Sequence, residues 1–371
     1  MTNVYPTAFG MLRTMIILGI ETSCDETAAG IVSIDDSLVC TLHANAVLTS
    51  MDLHTAYGGV VPEIAAREHV RSIHPVIEQA LADASMTWED IDAIAVTYGA
   101  GLGGSLLVGV LTARTLAITY EKPLYGVNHV EGHVYANFLT QTSLPGYVLP
   151  SAAPVFPMLA LIVSGGHSQL VLFRDHFEYT LLGQTHDDAI GEAFDKVAKM
   201  TGLPYPGGPS IAKKALEGND HAFTLPKAKM PGKYDFSFSG PKTAVLRQAQ
   251  AMVGKDFTFA SKDLPSALNE AQKADIAAVF QRVAIETVVD KTLLAYEEFQ
   301  PASVVIGGGV SASPELRRQL AERLPIAPQY TDPKLATDNG AMIATLGAFK
   351  AQLKADPADP YSLEIQPNLS M

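Results

Sequence analysis

The feature that most restricts the fold of this chain is an order of segments that occurs twice. An apolar run at residues 16–20 leads into a polar turn, Glu21-Thr22-Ser23-Cys24-Asp25, and then a second apolar run at residues 28–32. Much later, residues 159–163 lead into Ser164-Gly165-Gly166-His167-Ser168 and then residues 170–173. Short apolar runs bounded by turn residues read as buried strands, so each set is a hairpin whose turn presents small polar groups. Each half then repeats a second unit. Residues 91–96 form an apolar strand, followed by the turn at residues 99–104 and a helix from Leu106; residues 303–306 form another, followed by Gly307-Gly308-Gly309 and a helix from Pro314. A duplicated α/β unit predicts two lobes around a central cleft that binds a ligand.

The boundaries follow from this order. Residues 1–14 are expected to be an N-terminal extension, 15–128 the first lobe, 129–349 the second lobe with an insert at about residues 195–270, and 350–371 a C-terminal tail. The Pro-, Ser- and Ala-containing stretch at residues 141–157 is the most linker-like piece.

Composition narrows the class. Two cysteines, Cys24 and Cys40, are too few for a disulfide scaffold and fit a reducing compartment. The longest apolar stretch, residues 106–118, contains Arg114 and is too short to span a bilayer, so a cytoplasmic protein without a membrane anchor is expected. The net charge of −13 opposes autonomous binding to nucleic acid, which ordinarily shows a basic face. Lys227, Lys229 and Lys233 cluster in the insert, with Lys242 just beyond, and read as solubility on an exposed loop before a dedicated RNA site.

The sharpest chemical signal is His129-Val130-Glu131-Gly132-His133. Imidazoles at i and i+4 share a helix face about 5–6 Å apart at Cβ, which suits one metal ion. Glu131 points away from that face, so the order is poorly suited to a zinc peptidase. Asp338, in Thr337-Asp338-Asn339-Gly340, precedes an apolar helix, is expected at its N-cap, and is the candidate third ligand. The glycine turns at residues 164–166 and 307–309 could approach a phosphate closely, with Ser313 capping the following helix and Pro314 at its first position. Asp187 and Asp188 read as first-turn acids of a helix, and Asp195 further along it as a ribose-binding carboxylate. Gly99-Ala100-Gly101-Leu102-Gly103-Gly104 matches a dinucleotide fingerprint by letter. The next strand ends in Asn128 and His129 where an acid is required, so these glycines are assigned to close packing.

Taken together, the segments resemble the TsaD family of tRNA N6-adenosine threonylcarbamoyltransferases. The resemblance rests on GIETSCDET from Gly19, YGGVVPEIAAREH from Tyr57, NHVEGH from Asn128, LIVSGGHSQL from Leu161, GEAFDKVAK from Gly191, YPGGP from Tyr205, FSFSGPKT from Phe236, GGGVSAS from Gly307 and TDNGAMIA from Thr337. It implies an actin-like, sugar-kinase-like (ASKHA) fold: duplicated α/β, with two lobes around a nucleotide cleft. It also implies transfer of threonylcarbamoyl from threonylcarbamoyl-adenylate to N6 of the adenosine beside the anticodon, position 37, in tRNAs reading codons that begin with A, forming t6A. The residues matching His129, His133 and Asp338 would hold one divalent metal ion, iron (Fe2+) before zinc. Those matching Ile162, Val163, Ser164, Gly165, Gly166, Asp195, Gly208 and Ser313 would contact the adenylate. A paralogous partner subunit and a small ATPase are implied partners. Asp25 and Glu26 are the candidates for positioning or deprotonating N6. Three departures stand out: Ser313 replaces a frequent Asn, Ala212 a frequent acid, and Ala100 a frequent Pro. A metallopeptidase and a non-catalytic paralogous scaffold are the alternative readings.

Overall fold

Both apolar hairpins form, and each is the centre of its own sheet in a computed structural model that describes residues 14–371. Of the expected extension at residues 1–14, all but Thr14 lies outside the described residues. In the first sheet β1 (Met15–Glu21), β2 (Glu26–Ile34) and β3 (Cys40–Thr49) pair antiparallel. Helices α1 (Met51–Thr55) and α2 (Pro62–Ala84) lead to β4 (Ala93–Gly99), which runs parallel to β1. Helix α3 (Gly103–Thr119) crosses to β5 (Leu124–Asn128), α4 (His129–Tyr135) follows immediately, and β6 (Leu139–Thr142) lies beside β3.

The second sheet repeats the plan. Strands β7 (Met158–Val163), β8 (Ser168–Asp175) and β9 (Glu178–Gln184) form the meander. The helical part that follows comprises α5 (Ile190–Thr201), α6 (Gly207–Ala215), α7 (Ser239–Met252), α8 (Leu264–Ala267) and α9 (Glu270–Phe299), the last opened by a reciprocal Asn269–Gln272 cap. Then come β10 (Ser303–Gly307), α10 (Pro314–Arg323), β11 (Gln329–Tyr330) and α11 (Gly340–Gln352). The strand orders β5-β4-β1-β2-β3 and β11-β10-β7-β8-β9 correspond strand for strand, with β6 added to the first. In that correspondence α4, after β5, is the counterpart of α11, after β11.

Strand periodicity sorts the side chains into layers. Leu18, Ile20 and Ile31 pack toward α2 and α3, whereas Ile17 and Val32 face a central layer with α4 and α11. From the other sheet Met158, Ala160 and Ile162 enter that same central core, while Leu159, Leu161 and Val163 face the helices of the second lobe. Helix α11 is buried almost throughout because it is apolar on nearly every face, and Gly340 lets its start lie directly on strand backbone. A Cβ on Gly30 would come within 2.3 Å of Ala341 N, and one on Gly340 within 2.2 Å of Gly30 N. Only glycine permits this approach, and the approach sets where the start of α11, and Asp338 just before it, can sit. The C-terminal segment returns to the first lobe, with Ala358 N donating to Leu124 O and Arg114 donating to the carbonyls of Pro360, Tyr361 and Leu363.

Candidate metal centre and cleft

The equivalent helices α4 and α11 bring the three expected metal ligands together at their N-termini. Asn128 caps α4 by accepting from Val130 N, which leaves His129 as its first residue with His133 one turn on. Asn339 caps α11 by accepting from Met342 N. The expectation that Asp338 is the cap is therefore corrected: the neighbouring amide takes that role, and the carboxylate is free to face the histidines. Asp338 Oδ1 lies 3.5 Å from His129 Nε2 and 3.3 Å from His133 Nε2, and one ligand atom from each of the three residues falls within 4.8 Å of the others.

The donor set fits a divalent cation. His133 is 1% exposed, yet neither ring nitrogen makes a hydrogen bond among the described residues. Buried polar atoms are ordinarily satisfied, and a metal would satisfy this one. Burial would raise the Asp338 carboxyl, but the His129 and His133 imidazoles hold it well below the usual range. Burial would lower His129, but Asp338 and Glu21 outweigh it and raise it to about 9. A divalent cation could replace the protons that otherwise keep these groups together.

Glu21, absent from the sequence-derived site, completes this centre. It is wholly buried at the end of β1, and its Oε2 is 3.0 Å from His129 Nδ1. Thr97 Oγ1 donates to the same oxygen at 2.6 Å, and Ser23 N donates to Oε1 at 2.5 Å. An acid closing an apolar strand was the available signal. His167 was also missed. Its ring centroid is 6.1 Å from that of His129, and burial, reinforced by the charges of His129 and His133, pushes it down to about 4.

Asp25, on the first hairpin turn, and Glu26, the first residue of β2, are half-buried. That turn is tied from behind: Ser50 donates to Asp25 O through both N and Oγ, and His69 Nε2 contacts Cys24 O at 3.0 Å. His69 lies in the block that begins at Tyr57, so part of that block's role is to brace the turn. Burial and the charges of Asp338 and Asp25 raise Glu26 to about 10. A cation on Asp338 would relieve part of that push.

The expected adenylate residues divide by exposure. Ile162 and Val163 bury their side chains in opposite cores, so only their backbone can meet a ligand. Ser164 Oγ accepts from His167 N and holds the turn. A Cβ on Gly165, Gly166 or Gly208 would meet nothing within 4 Å, so these three border open space. Gly308 is different: its φ is +87° and its Cβ would lie 2.4 Å from Val163 O, so glycine there serves the packing of one turn on the other. Asp195 Oδ1 accepts from Gly207 N at 2.6 Å, anchoring the turn that carries Gly208. Ser313 caps α10 by accepting from Leu316 N at 3.4 Å.

One local reading needs correction. Asp187 and Asp188 precede α5 and do not occupy its first turn. Asp187 accepts from Ser237 Oγ and Phe238 N, and Asp188 clamps Lys196 and Lys242, so both acids lock the 237–242 segment to the cleft wall. The lysine grouping is largely neutralised: Lys227 pairs with Glu286 and Asp290, and Lys233 with Glu298, all on α9. Of the glycines in residues 99–104, Gly99 and Gly101 are closely packed, since a Cβ would lie 2.2 Å from Gln366 O at the first and 2.7 Å from Ser23 Cβ at the second, whereas one on Gly103 would make only ordinary contacts.

A duplicated two-sheet fold, with a buried histidine–carboxylate group beside an open-faced glycine turn, defines a two-lobed cleft enzyme able to hold a divalent metal. The profile of the TsaD family, tRNA N6-adenosine threonylcarbamoyltransferase, matches residues 41–345. A tRNA N6-adenosine threonylcarbamoyltransferase of Thermomicrobium roseum is 50% identical, with 91% of this chain and 92% of the relative covered. One of Desulfitobacterium hafniense is 48% identical over 96% and 97% of the two chains. The crystal structure of T. kodakarensis HypF shares the fold at a TM-score of 0.54 and 12% identity, covering 93% of this chain and 48% of that one. The chain belongs to the TsaD family, the tRNA N6-adenosine threonylcarbamoyltransferases.

Proposed function

We propose that this chain carries out its family's transfer in the cleft between the lobes, taking threonylcarbamoyl from threonylcarbamoyl-adenylate to N6 of the adenosine at position 37 of tRNAs reading codons that begin with A. Family membership makes the chain a tRNA-modifying transferase that forms t6A. The observation that carries the finer reading is the adjacency of a metal-competent group to a turn whose glycines border open space. On this reading the adenylate lies along Gly165, Gly166 and Gly208, with Asp195 and Ser313 at its edges.

His129, His133 and Asp338 would hold one divalent ion, Fe2+ by preference and zinc otherwise, which when bound supplies Lewis-acid polarisation of a carbonyl oxygen. The remaining work falls to the chain. The N6 lone pair attacks the carbamoyl carbon, the bond from that carbon to the phosphate oxygen breaks, and AMP departs. Asp25 and Glu26, braced by Ser50 and His69, orient the amine, and Asp25 takes the N6 proton. No protein nucleophile is needed because the donor is already activated.

No described helix is long and apolar enough to cross a membrane, and we place the chain in the cytoplasm with tRNA, a paralogous partner subunit and a small ATPase. The peptidase reading finds no support in Glu131, which lies outside the metal group. The test incubates the purified chain and its partners with threonylcarbamoyl-adenylate and unmodified tRNA, followed by nucleoside mass spectrometry. Appearance of t6A that depends on His133 is expected; t6A formed equally by His133→Ala would overturn the site.

A further inference from the structure

We propose that Glu21 is the positioning residue of the metal centre: its carboxylate fixes His129 in the Nδ1–H form and so keeps Nε2 available toward Asp338. The proposal rests on the metal reading above and assigns a role to a residue outside the ligand set.

The geometry is specific to orientation. His129 is held at both nitrogens, with Nδ1 3.0 Å from Glu21 Oε2 and Nε2 3.5 Å from Asp338 Oδ1. An ionised carboxylate can only accept, so the proton at this contact belongs to Nδ1. Ser23 Oγ, 3.1 Å from the same nitrogen, is a second acceptor on that side. The carboxylate cannot turn away, because Thr97 Oγ1 donates to Oε2 and Ser23 N to Oε1. Glu21 and Thr97 are both 0% exposed, so no water competes for these bonds. A carboxylate behind a ligating imidazole fixes its tautomer and ring orientation, and loss of such a partner typically weakens metal binding by ~10–100-fold. The same acid also sets the register of the turn bearing Asp25 and Glu26, since Ser23 N lies between it and them. His133 has no equivalent partner among the described residues, so the two histidines should respond differently to loss of Glu21.

The test uses the full chain freed of metal. Zinc affinity of this form is measured by competition with a chromophoric chelator, and the protonation of His129 Nδ1 is read after zinc loading, when Nε2 no longer carries a proton, from long-range 1H–15N correlation of 15N-histidine-labelled protein. In Glu21→Gln an amide offers one acceptor oxygen where three donors converge. The expected result is ~10–100-fold weaker zinc binding and loss of the Nδ1–H signature at His129, with the His133 signals and the melting midpoint retained. Thr97→Val, which removes one donor and leaves the carboxylate in place, should show the same two changes to a smaller degree. It keeps the proposal testable if Glu21→Gln folds poorly. Wild-type zinc affinity and an unchanged His129 tautomer in both variants would overturn the role of Glu21 while leaving the metal centre standing. Failure of the unaltered chain to bind zinc or ferrous iron would remove the metal reading and this proposal with it.

Discussion

Replacing Gly30 by alanine tests whether the contact of α11 with strand backbone sets the metal centre. The added Cβ would lie 2.3 Å from Ala341 N, 2.5 Å from Gly340 C and 2.6 Å from Ala341 Cα. An ordinary contact needs about 3.5 Å, so strand and helix must separate by ~1 Å, and all three obstructing atoms are backbone. Overpacking of this kind costs ~1–3 kcal/mol. Alanine returns roughly 0.5–1 kcal/mol because glycine in a strand loses more chain entropy. A net loss of about 1 kcal/mol remains at the middle of those ranges, and the melting midpoint should fall by a few degrees. Asp338 lies two residues before Gly340, and metal–ligand distances tolerate only about 0.2 Å. Zinc affinity should therefore fall at least ~10-fold, about 1.4 kcal/mol. Gly165→Ala, where the new Cβ meets open space, serves as the control and should leave stability unchanged. An unaltered midpoint in Gly30→Ala would refute the close packing. A lowered midpoint with full zinc affinity would refute its link to Asp338.

Five further outcomes follow. His133→Ala should lose bound metal and transfer activity while its circular dichroism spectrum is retained, and full metal content would exclude that ligand. Gly208→Val should weaken an adenylate analogue by ~10-fold or more in calorimetry without lowering the melting midpoint. Gly308→Val should be unstable with or without ligand, because its positive φ and its contact with Val163 O are structural. Burial would raise Asp188, but Lys196 and Lys242 hold it below its usual value; its contribution is complete above the unfolded carboxyl value near 3.9 and is lost as pH falls through the lower folded one. The stability advantage of wild type over Asp188→Asn should thus be full at pH 7 and shrink below about pH 4, and a difference independent of pH would contradict the ion-pair account. Finally, with Lys227 and Lys233 neutralised on α9 and a net charge of −13, the isolated chain should bind tRNA weakly at physiological salt. Submicromolar retention in filter binding would show that another surface supplies the cations.

What could be read from the sequence was local or repeated. The doubled hairpin and strand–glycine–helix order predicted two matched sheets because apolar runs and turn residues act over a few neighbouring positions. His129 and His133 were legible because one helical turn brings them to one face. The alternation of residues 158–163 between two cores follows from strand periodicity once the strand is recognised. Other assignments depended on partners distant in sequence. Asn339 rather than Asp338 caps α11 because the fold points the carboxylate at α4, more than two hundred positions earlier. Glu21 acquires its role only where β1, β4 and α4 meet, and no motif spacing encodes the contacts of Thr97 and His129 with one carboxylate. Gly165 and Gly308 look alike as letters, yet one borders open space and the other abuts Val163 O, a difference created by how the two sheets' turns stack. Lys227 and Lys233 of the insert are neutralised only because α9 places its acids against them. Charge balance at a surface, like the orientation of a buried carboxylate, is set by which distant segments the core brings together, and that is decided only when the chain has folded.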